Sequence, residues 1–266
     1  MDDDSTRVDL VVIGGGNMGA ALLGGLLDSG VFAASALALV EVVEARREQL
    51  TSLFPAVAVE ATVPRCAGAV LAVKPGDIAD AAAAASAAGA RRVLSIAAGV
   101  RLDTIEAAAG PDVAVVRAMP NTPALVRLGA CAISAGSTAS IDDVRWASTI
   151  LEAVGTVDEI DEAALDAFTG VAGSGPAYVF LVAEALIDAA VEQGLDRAMA
   201  ERVVRQLLLG SATLLDREGD PARLREMVTS PNGTTAAGLA ALDEHDLRGA
   251  IAAAVSAATQ RSRELG

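Results

Sequence analysis

The stretch that decides the fold is DLVVIGGGNMG, residues 9–19. An apolar run typical of a buried strand leads directly into Gly14-x-Gly16-x-x-Gly19, and helical lettering follows. In this setting the first glycine makes a tight turn, the second lets the backbone approach a pyrophosphate, and the third lets the helix pack on the strand. The stretch therefore favours a dinucleotide-binding βα unit of the Rossmann type over a glycine turn that binds nothing.

Strand-like and helical runs alternate up to about residue 160. The expected strands are DLVVIG (9–14), ALALVE (36–41), GAVLAV (68–73), RRVLSIA (91–97) and DVAVVRA (112–118), with GACAISA (129–135) and GTVDEI (155–160) as further strands at the far edge. The helical runs between them are 17–30, 44–54 and 76–89. Continuous apolar strands separated by helices predict a parallel sheet that is covered on both faces. We therefore expect an α/β Rossmann-type domain over residues 1–160.

The rest of the chain is expected to be helical. The predicted helices are 178–194, 197–218, 220–229, 234–242 and 246–263. In the first of them, Glu184, Asp188 and Glu192 form one narrow polar stripe. A helix that is apolar around the rest of its circumference must be buried nearly all round. We therefore expect residues 161–266 to form an all-α dimerisation domain, in which a second subunit covers this helix.

Composition limits the possible partners. The chain has 266 residues, is 53% hydrophobic but only 2% aromatic, and carries a net charge of −15, which argues against nucleic acid or an anionic membrane. The first residues lack the apolar run of a signal peptide, and we expect no stretch to span a bilayer. Cys66 and Cys131 have no CxxC spacing and are expected to be free thiols of a cytoplasmic protein. His245 is the one histidine, which leaves little material for a metal site or a Ser-His-Asp triad.

An acidic residue ends the second strand. Glu41 follows the glycine turn by about 20 residues, the position from which a carboxylate accepts hydrogen bonds from an adenosine ribose and so favours NAD. Arg46 and Arg47 lie close enough to serve a 2′-phosphate instead. These residues leave the choice between NAD and NADP open. They also leave open that Glu41 is a solvated residue at the end of a strand and contacts no ribose.

Three more segments end predicted strands. They are VLAVKPGD (70–77), which holds Lys74, the only lysine, then SIAAGV (95–100) and RAMPNTP (117–123), in which two prolines bracket Asn121. Ligands bind outside the carboxyl ends of the strands in open α/β sheets, so we expect these segments to line the nicotinamide side of the site.

Two polar turns open helices in the second half. GVAGSGPAYVF (170–180) has small residues that allow close approach to a ligand or to a neighbouring helix. TSPNGTT (229–235) offers several backbone amides and hydroxyls at a helix start, where anions bind readily. A capped turn without a ligand remains the alternative reading of the second turn.

GGGNMG, AVKP, AAGV, RAMPNTP, TGVAGSGPAY and TSPNGTT, in this order and spacing, resemble the pyrroline-5-carboxylate reductase family over nearly the whole chain. The resemblance implies reduction of the cyclic imine 1-pyrroline-5-carboxylate to L-proline with NADPH or NADH. It also implies a Rossmann domain and a helical domain that interleaves with a second subunit, in a homodimer or a ring of dimers.

The resemblance also implies the site residues. The cofactor contacts carried over, or expected from the strand ends above, are Ile13, Gly14, Gly15, Gly16, Asn17, Met18, Gly19, Glu41, Ala72, Val73, Lys74, Pro75, Ala97, Ala98, Gly99 and Asn121. The implied substrate contacts are Glu218, Ser230, Gly233, Thr234 and Thr235. Thr235 is the catalytic candidate, and no metal is expected.

Three positions depart from the family pattern. Asn232 stands where a second glycine is usual, Ala172 where a serine is usual, and Val59 near a place where some members contact the ribose with asparagine. Asn tolerates left-handed backbone angles well, so the turn assignment stands.

The implied reaction requires little acid–base chemistry from the protein. A protonated imine is already an electrophile, so hydride transfer requires mainly placement. In the predicted site the amides of the 229–235 turn and Ser230 hold the carboxylate, and Thr235 reaches the ring nitrogen. The alternatives are a reductase of another cyclic imino acid, a related β-hydroxyacid dehydrogenase, and a non-catalytic dinucleotide sensor. A β-hydroxyacid dehydrogenase normally requires a lysine on the helical domain, and this chain has none after Lys74.

Overall fold

The computed structural model describes residues 7–265. Their contacts divide the chain into two compact units, one ending at Ser174 and rejoined from Ser256 onward, the other spanning Gly175–Val255. The expected absence of a signal peptide rests on residues that lie mainly outside this described range. Residues 161–174 group with the sheet, so the compact units differ from the predicted domains 1–160 and 161–266. That division concerns function, and it stays a prediction.

The first unit is built on one eight-stranded sheet in the order β3-β2-β1-β4-β5-β6-β7-β8. The strands are β1 (Val8–Ile13), β2 (Leu37–Val40), β3 (Ala58–Glu60), β4 (Cys66–Leu71), β5 (Arg92–Ser95), β6 (Ala114–Met119), β7 (Gly129–Ala135) and β8 (Gly155–Glu159). All neighbours are parallel except β6 and β7, which run antiparallel. The Rossmann-type sheet and the two far-edge strands are confirmed, and β3 is a strand that the sequence did not predict.

Along each strand, successive side chains point to opposite faces of the sheet, and both faces are buried at the central strands. In β1, Leu10 and Val12 belong to one apolar cluster, and Val11 and Ile13 belong to the other. Helices from both sides bury these clusters, so the central strands are apolar on both faces, as their continuous hydrophobic lettering predicts.

The helices of this unit are α1 (Asn17–Ser29), α2 (Glu44–Leu53), α3 (Ile78–Ala87), α4 (Leu102–Ala109), α5 (Ile141–Glu152) and α6 (Leu165–Phe168), which continues into a π-helical turn, Thr169–Gly173. Helices α1, α2 and α3 match the predicted runs, whereas α4 and α5 were not predicted. Helix α5 begins with a capping box, in which Ser140 Oγ accepts from the Asp143 N–H and the Asp143 carboxylate accepts from the Ser140 N–H.

The second unit is helical. Its helices are α7 (Gly175–Glu192), α8 (Arg197–Glu218), α9 (Pro221–Met227), α10 (Thr234–Glu244) and the start of α11 (Leu247–Leu265), whose residues from Ser256 belong to the first unit. Gly194 has a left-handed φ of 95°, and Asp196 caps α8 by accepting from the Met199 N–H at 3.2 Å. No residue of α7, which the structure describes throughout, is buried within the single chain.

One helical run, Glu162–Glu192, is long and apolar enough to cross a membrane, by length and composition alone. The π-helical turn and α7 make this run continuous among the described residues. The helix of a protein without a membrane can pass the same test, so the expectation that no stretch spans a bilayer stays a prediction. The apolar surface of this run is the same surface for which the sequence predicts a second subunit.

Candidate active site

The glycine turn lies between β2 and β4 at the carboxyl end of β1. Gly14 has a φ of 111°, and a Cβ built on it would lie 2.5 Å from the Ala72 carbonyl oxygen. A Cβ on Gly19 would collide with the Gly14 carbonyl oxygen, whereas one on Gly16 would meet nothing within 4 Å. The first and third glycines are therefore required by the fold, and the backbone at the second is open to a ligand.

Helix α1 begins directly after this opening. Its N-cap is Gly16, and no side chain among the described residues caps it. The first amides of a helix lack intrahelical partners and carry the positive end of the helix dipole, so they attract phosphate groups. The turn thus has the geometry of a pyrophosphate site, and it fits a dinucleotide.

The Glu41 carboxylate bonds to the glycine turn itself. Its Oε2 accepts from the Gly15 N–H at 3.1 Å and its Oε1 from the Val43 N–H at 2.9 Å. Arg46 donates through Nε to the Gly15 carbonyl at 2.9 Å, and Arg47 donates to the Glu41 and Val42 carbonyls. Two cations and one carboxylate therefore surround the place where the sequence predicts an adenosine ribose.

An apolar cavity of about 730 Å³ adjoins this corner. Its walls include Ile13, Val40 and Val73, which end or follow β1, β2 and β4, together with Val42 and Val63. These strands flank the point where the chain reverses its direction of winding across the sheet. Dinucleotides bind at such a switch point, and the cavity has the size and the walls for an adenine ring.

The other predicted cofactor segments lie along the same edge. Residues 72–75 directly follow β4, with Lys74 and Pro75 exposed at the start of a short 3₁₀ turn. Residues 97–99 follow β5, where Gly99 has a φ of 80° and a Cβ on it would come within 3.0 Å of Leu265 Cβ. The structure thus brings the carboxyl ends of β1, β2, β4 and β5 together, as the sequence predicts.

Asn121 belongs to this edge, but both polar atoms of its side chain are hydrogen-bonded to other residues of the protein. It is only 8% exposed, its Oδ1 accepts from the Ala130 N–H at 2.9 Å, and its Nδ2 donates to the Ala172 carbonyl at 3.0 Å. Both polar atoms therefore fasten the loop after β6 to β7 and to the π-helical turn. The sequence did not predict this role.

The predicted substrate turn lies in the second unit, before α10. The Gly233 N–H bonds to the Ser230 carbonyl at 3.0 Å, and Gly233 is the N-cap of α10 without a side-chain cap among the described residues. Asn232 has a φ of 58°, which confirms that it takes the left-handed conformation expected there. Ser230, Thr234 and Thr235 are exposed around these open amides, an arrangement that suits a carboxylate.

Glu218 is the last residue of α8 and is exposed. No hydrogen bond or ion pair in the described part of the chain joins it to the 229–235 turn. Its proposed contact with substrate therefore rests on the family resemblance.

A partly buried ion pair is a feature of this edge that sequence reasoning missed. Arg117 Nη1 lies 2.7 Å from Glu162 Oε1, and the two side chains are 7% and 24% exposed. The same oxygen accepts from the Leu102 N–H at 2.8 Å. No motif or spacing links residues so far apart in the chain, so no local signal could have found the pair.

Both cysteines are buried and free, which confirms the expectation of free thiols. Burial raises the pKa of each thiol to about 11. Neither thiol has the lowered pKa of a reactive cysteine, so neither supplies a nucleophile.

Family models match segments in both halves of the chain. Residues 162–265 match the family model "Pyrroline-5-carboxylate reductase dimerisation", and residues 9–99 match "NADP oxidoreductase coenzyme F420-dependent". A pyrroline-5-carboxylate reductase of Synechocystis sp. is 44% identical, with 97% of this chain and 98% of the relative covered. One from Pseudomonas aeruginosa is 41% identical, with 96% of each covered.

Comparison with solved structures gives the same family. The pyrroline-5-carboxylate reductase of Coxiella burnetii superposes with a TM-score of 0.89 at 32% identity, covering 97% of this chain and 98% of that one. The Plasmodium falciparum pyrroline carboxylate reductase, solved with NADP bound, gives 0.85 at 28% identity, covering 97% and 98%. With the glycine turn, the strand-end loops and the turn before α10 all in place, this chain belongs to the pyrroline-5-carboxylate reductase family.

Proposed function

We propose that the protein reduces 1-pyrroline-5-carboxylate to L-proline with NADH or NADPH, the last step of proline biosynthesis. The observation that carries this proposal is the pair of open helix starts at Gly16 and Gly233, in a chain that matches the family over almost its full length. One start suits the pyrophosphate of a dinucleotide, and the other suits the carboxylate of a small acid.

In this proposal the cofactor-binding residues are those of the 13–19 turn, Glu41 and the segments 72–75 and 97–99. Asn121 contributes by fixing the loop after β6, because both polar atoms of its side chain are already bonded to the protein. The reduced nicotinamide supplies a hydride when it is bound. The imine carbon accepts that hydride, and the electron pair of the C=N bond moves to the ring nitrogen.

The substrate residues are Ser230, Gly233, Thr234 and Thr235, with Glu218 nearby in sequence. The amides at the start of α10 and the Ser230 hydroxyl hold the carboxylate. Thr235 hydrogen-bonds to the ring nitrogen and orients it as the charge leaves the C=N bond, so it is the catalytic residue. Because the imine is already protonated, hydride transfer gives the neutral amine without a proton from the protein, and the amine then takes a second proton from water.

The two functional domains are residues 1–160, which bind the dinucleotide, and residues 161–266, which bind the imino acid and hold the subunits together. The match of residues 162–265 to the dimerisation model supports the second range. The protein is a homo-oligomer, as a homodimer or a ring of dimers, and α7 is its principal contact. We place it in the cytoplasm, where its two buried thiols stay reduced.

The test is oxidation of NADH and of NADPH by the purified protein with 1-pyrroline-5-carboxylate. Turnover that yields proline and depends on both substrates supports the proposal. Ser230→Ala with Thr235→Val is the matched inactive control, because both changes leave the glycine turn intact. Binding of NADH without turnover of the imino acid would favour a dinucleotide sensor instead.

A further inference from the structure

The loop between β5 and α4 connects the sheet to the predicted nicotinamide contacts Ala97, Ala98 and Gly99. At its start the Ala97 N–H approaches Ser95 Oγ at 3.5 Å, a long contact. At its end the Leu102 N–H donates to Glu162 Oε1 at 2.8 Å, which is a short bond to a charged acceptor. Bonds to ionised groups are about twice as strong as neutral ones, so the stronger side-chain anchor of the loop is Glu162.

Glu162 is itself held in place. Arg117, in the middle of β6, donates to the same oxygen at 2.7 Å, and its side chain is 7% exposed. Strand β6 carries the guanidinium, the guanidinium holds the carboxylate, and the carboxylate accepts from the first amide of α4. The chain of contacts runs from the rigid sheet to the end of the cofactor loop.

We propose that Glu162 is a positioning residue of the dinucleotide site, which holds the 97–101 loop in the conformation that accepts the nicotinamide. This inference rests on the proposed function, because it requires that the loop contact the cofactor. Glu162 itself acts through the Leu102 amide. It lies in the first turn of the segment that matches the dimerisation model, so a residue of that segment controls cofactor affinity.

One test removes the N–H and keeps both charged side chains, Arg117 and Glu162. Leu102 is the first residue of α4, where proline is well tolerated, and Arg101 before it has φ −78° and ψ 156°, which a following proline accepts. Leu102→Pro therefore deletes the hydrogen bond to Glu162 and keeps an apolar side chain. Its ring Cδ takes the place of the amide hydrogen, so the Glu162 carboxylate must also move away from residue 102. We expect the Kd for NADH to rise about tenfold, in line with the loss of a bond to a charged group.

The matched control is Leu102→Ala. It keeps the N–H but removes packing from a side chain that is 7% exposed, so its melting temperature falls while its Kd for NADH stays within about twofold of wild type. A merely structural role predicts the reverse order, with affinity following stability in both variants. For Leu102→Pro, the KM for NADH should rise, while kcat at saturating NADH and the KM for the imino acid stay close to wild type.

Two further variants, Glu162→Gln and Glu162→Ala, change the acceptor of this hydrogen bond instead of the donor. The glutamine amide oxygen still accepts from Leu102, so NADH affinity should be largely retained, whereas alanine should weaken it as Leu102→Pro does. These two variants decide the question if Leu102→Pro does not fold. Wild-type NADH affinity in folded Leu102→Pro, or equal effects of glutamine and alanine, would overturn the inference. Failure of the wild-type protein to bind either NADH or NADPH would instead overturn the proposed function.

Discussion

The Glu41 carboxylate accepts a hydrogen bond from the backbone N–H of Gly15 at 3.1 Å. The residue expected to contact the adenosine ribose therefore also holds the phosphate-binding turn. A carboxylate has room for more acceptor contacts than the two it makes here, so the two roles are compatible. Arg46 and Arg47, which bond to carbonyls beside it, keep positive charge within reach of the same place.

Cofactor choice follows from this arrangement. We expect NADH to be used at least as well as NADPH, because a carboxylate beside a 2′-phosphate is repulsive. Glu41→Ser should raise kcat/KM for NADPH relative to NADH, while the loss of the Gly15 bond weakens both. Steady-state kinetics with the two cofactors measure the change. A wild-type preference for NADPH above about tenfold, or an unchanged ratio in the variant, contradicts this role of Glu41.

Thr235 gives the prediction for the chemical step. Thr235→Val keeps the branched shape and removes one oxygen from the first turn of α10. A hydrogen bond to a charged group contributes about 1.5–3 kcal/mol, so kcat/KM should fall roughly 10- to 100-fold. NADH titration should show unchanged binding.

Ser230→Ala is the companion to that variant. It should mainly raise the KM for the imino acid, because holding a carboxylate is equally favourable in the ground and transition states. Wild-type kcat/KM in Thr235→Val would mean that the turn only starts a helix.

The exposed face of α7 predicts the assembly. Leu186 is 38% exposed in the single chain, in a helix without a buried residue. Leu186→Asp would place an unpaired charge in the subunit contact, at a cost of several kcal/mol, and should dissociate the oligomer. Sedimentation at micromolar concentration measures this. Glu184→Gln, on the polar stripe of the same helix, is the control and should leave the assembly intact. A fully active wild-type monomer would refute the interpretation of this face.

Asp143 gives a prediction about pH. Burial raises the pKa of the Asp143 carboxyl. Hydrogen bonds from the Ser140 side chain and backbone, together with the charge of Arg92, lower it by a larger amount, so the net shift is downward. Arg92 Nε lies 2.7 Å from Asp143 Oδ1. A carboxyl whose pKa is lower in the folded state stabilises the fold above its unfolded pKa, and this contribution is lost as the pH falls through the folded pKa.

Asp143→Asn should therefore reduce the free energy of unfolding by about 1 kcal/mol at neutral pH, and by less at a pH below the ordinary aspartate pKa of 3.8. Denaturant unfolding at the two pH values measures this. Asp142→Asn, in an exposed pair with Arg145, should have little effect at either pH. An equal loss for Asp143→Asn at both pH values would exclude a charge contribution.

Several local features were readable in the sequence because their causes are local. Gly14 and Gly19 have no room for a side chain, and the apolar strands alternate between two buried faces. Helix α5 was missed although Ser140 and Asp143 form a capping box, which is a local signal. Strand β3 has three residues and only one that is partly buried, too little for any periodicity to reveal.

The sequence by itself determined the alternating strands and helices of a Rossmann-type domain, the sheet edge expected to bind the dinucleotide and the turn suited to a carboxylate, because each depends on residue type at short spacing. Only the tertiary structure decided that both polar atoms of the Asn121 side chain are hydrogen-bonded within the protein, and that the Glu162 carboxylate accepts from the Leu102 N–H at the end of the predicted cofactor loop. These contacts join residues from about 10 to 60 positions apart in the chain. Such pairs follow from how the strands and helices pack, and the pattern of neighbouring letters carries no information about them.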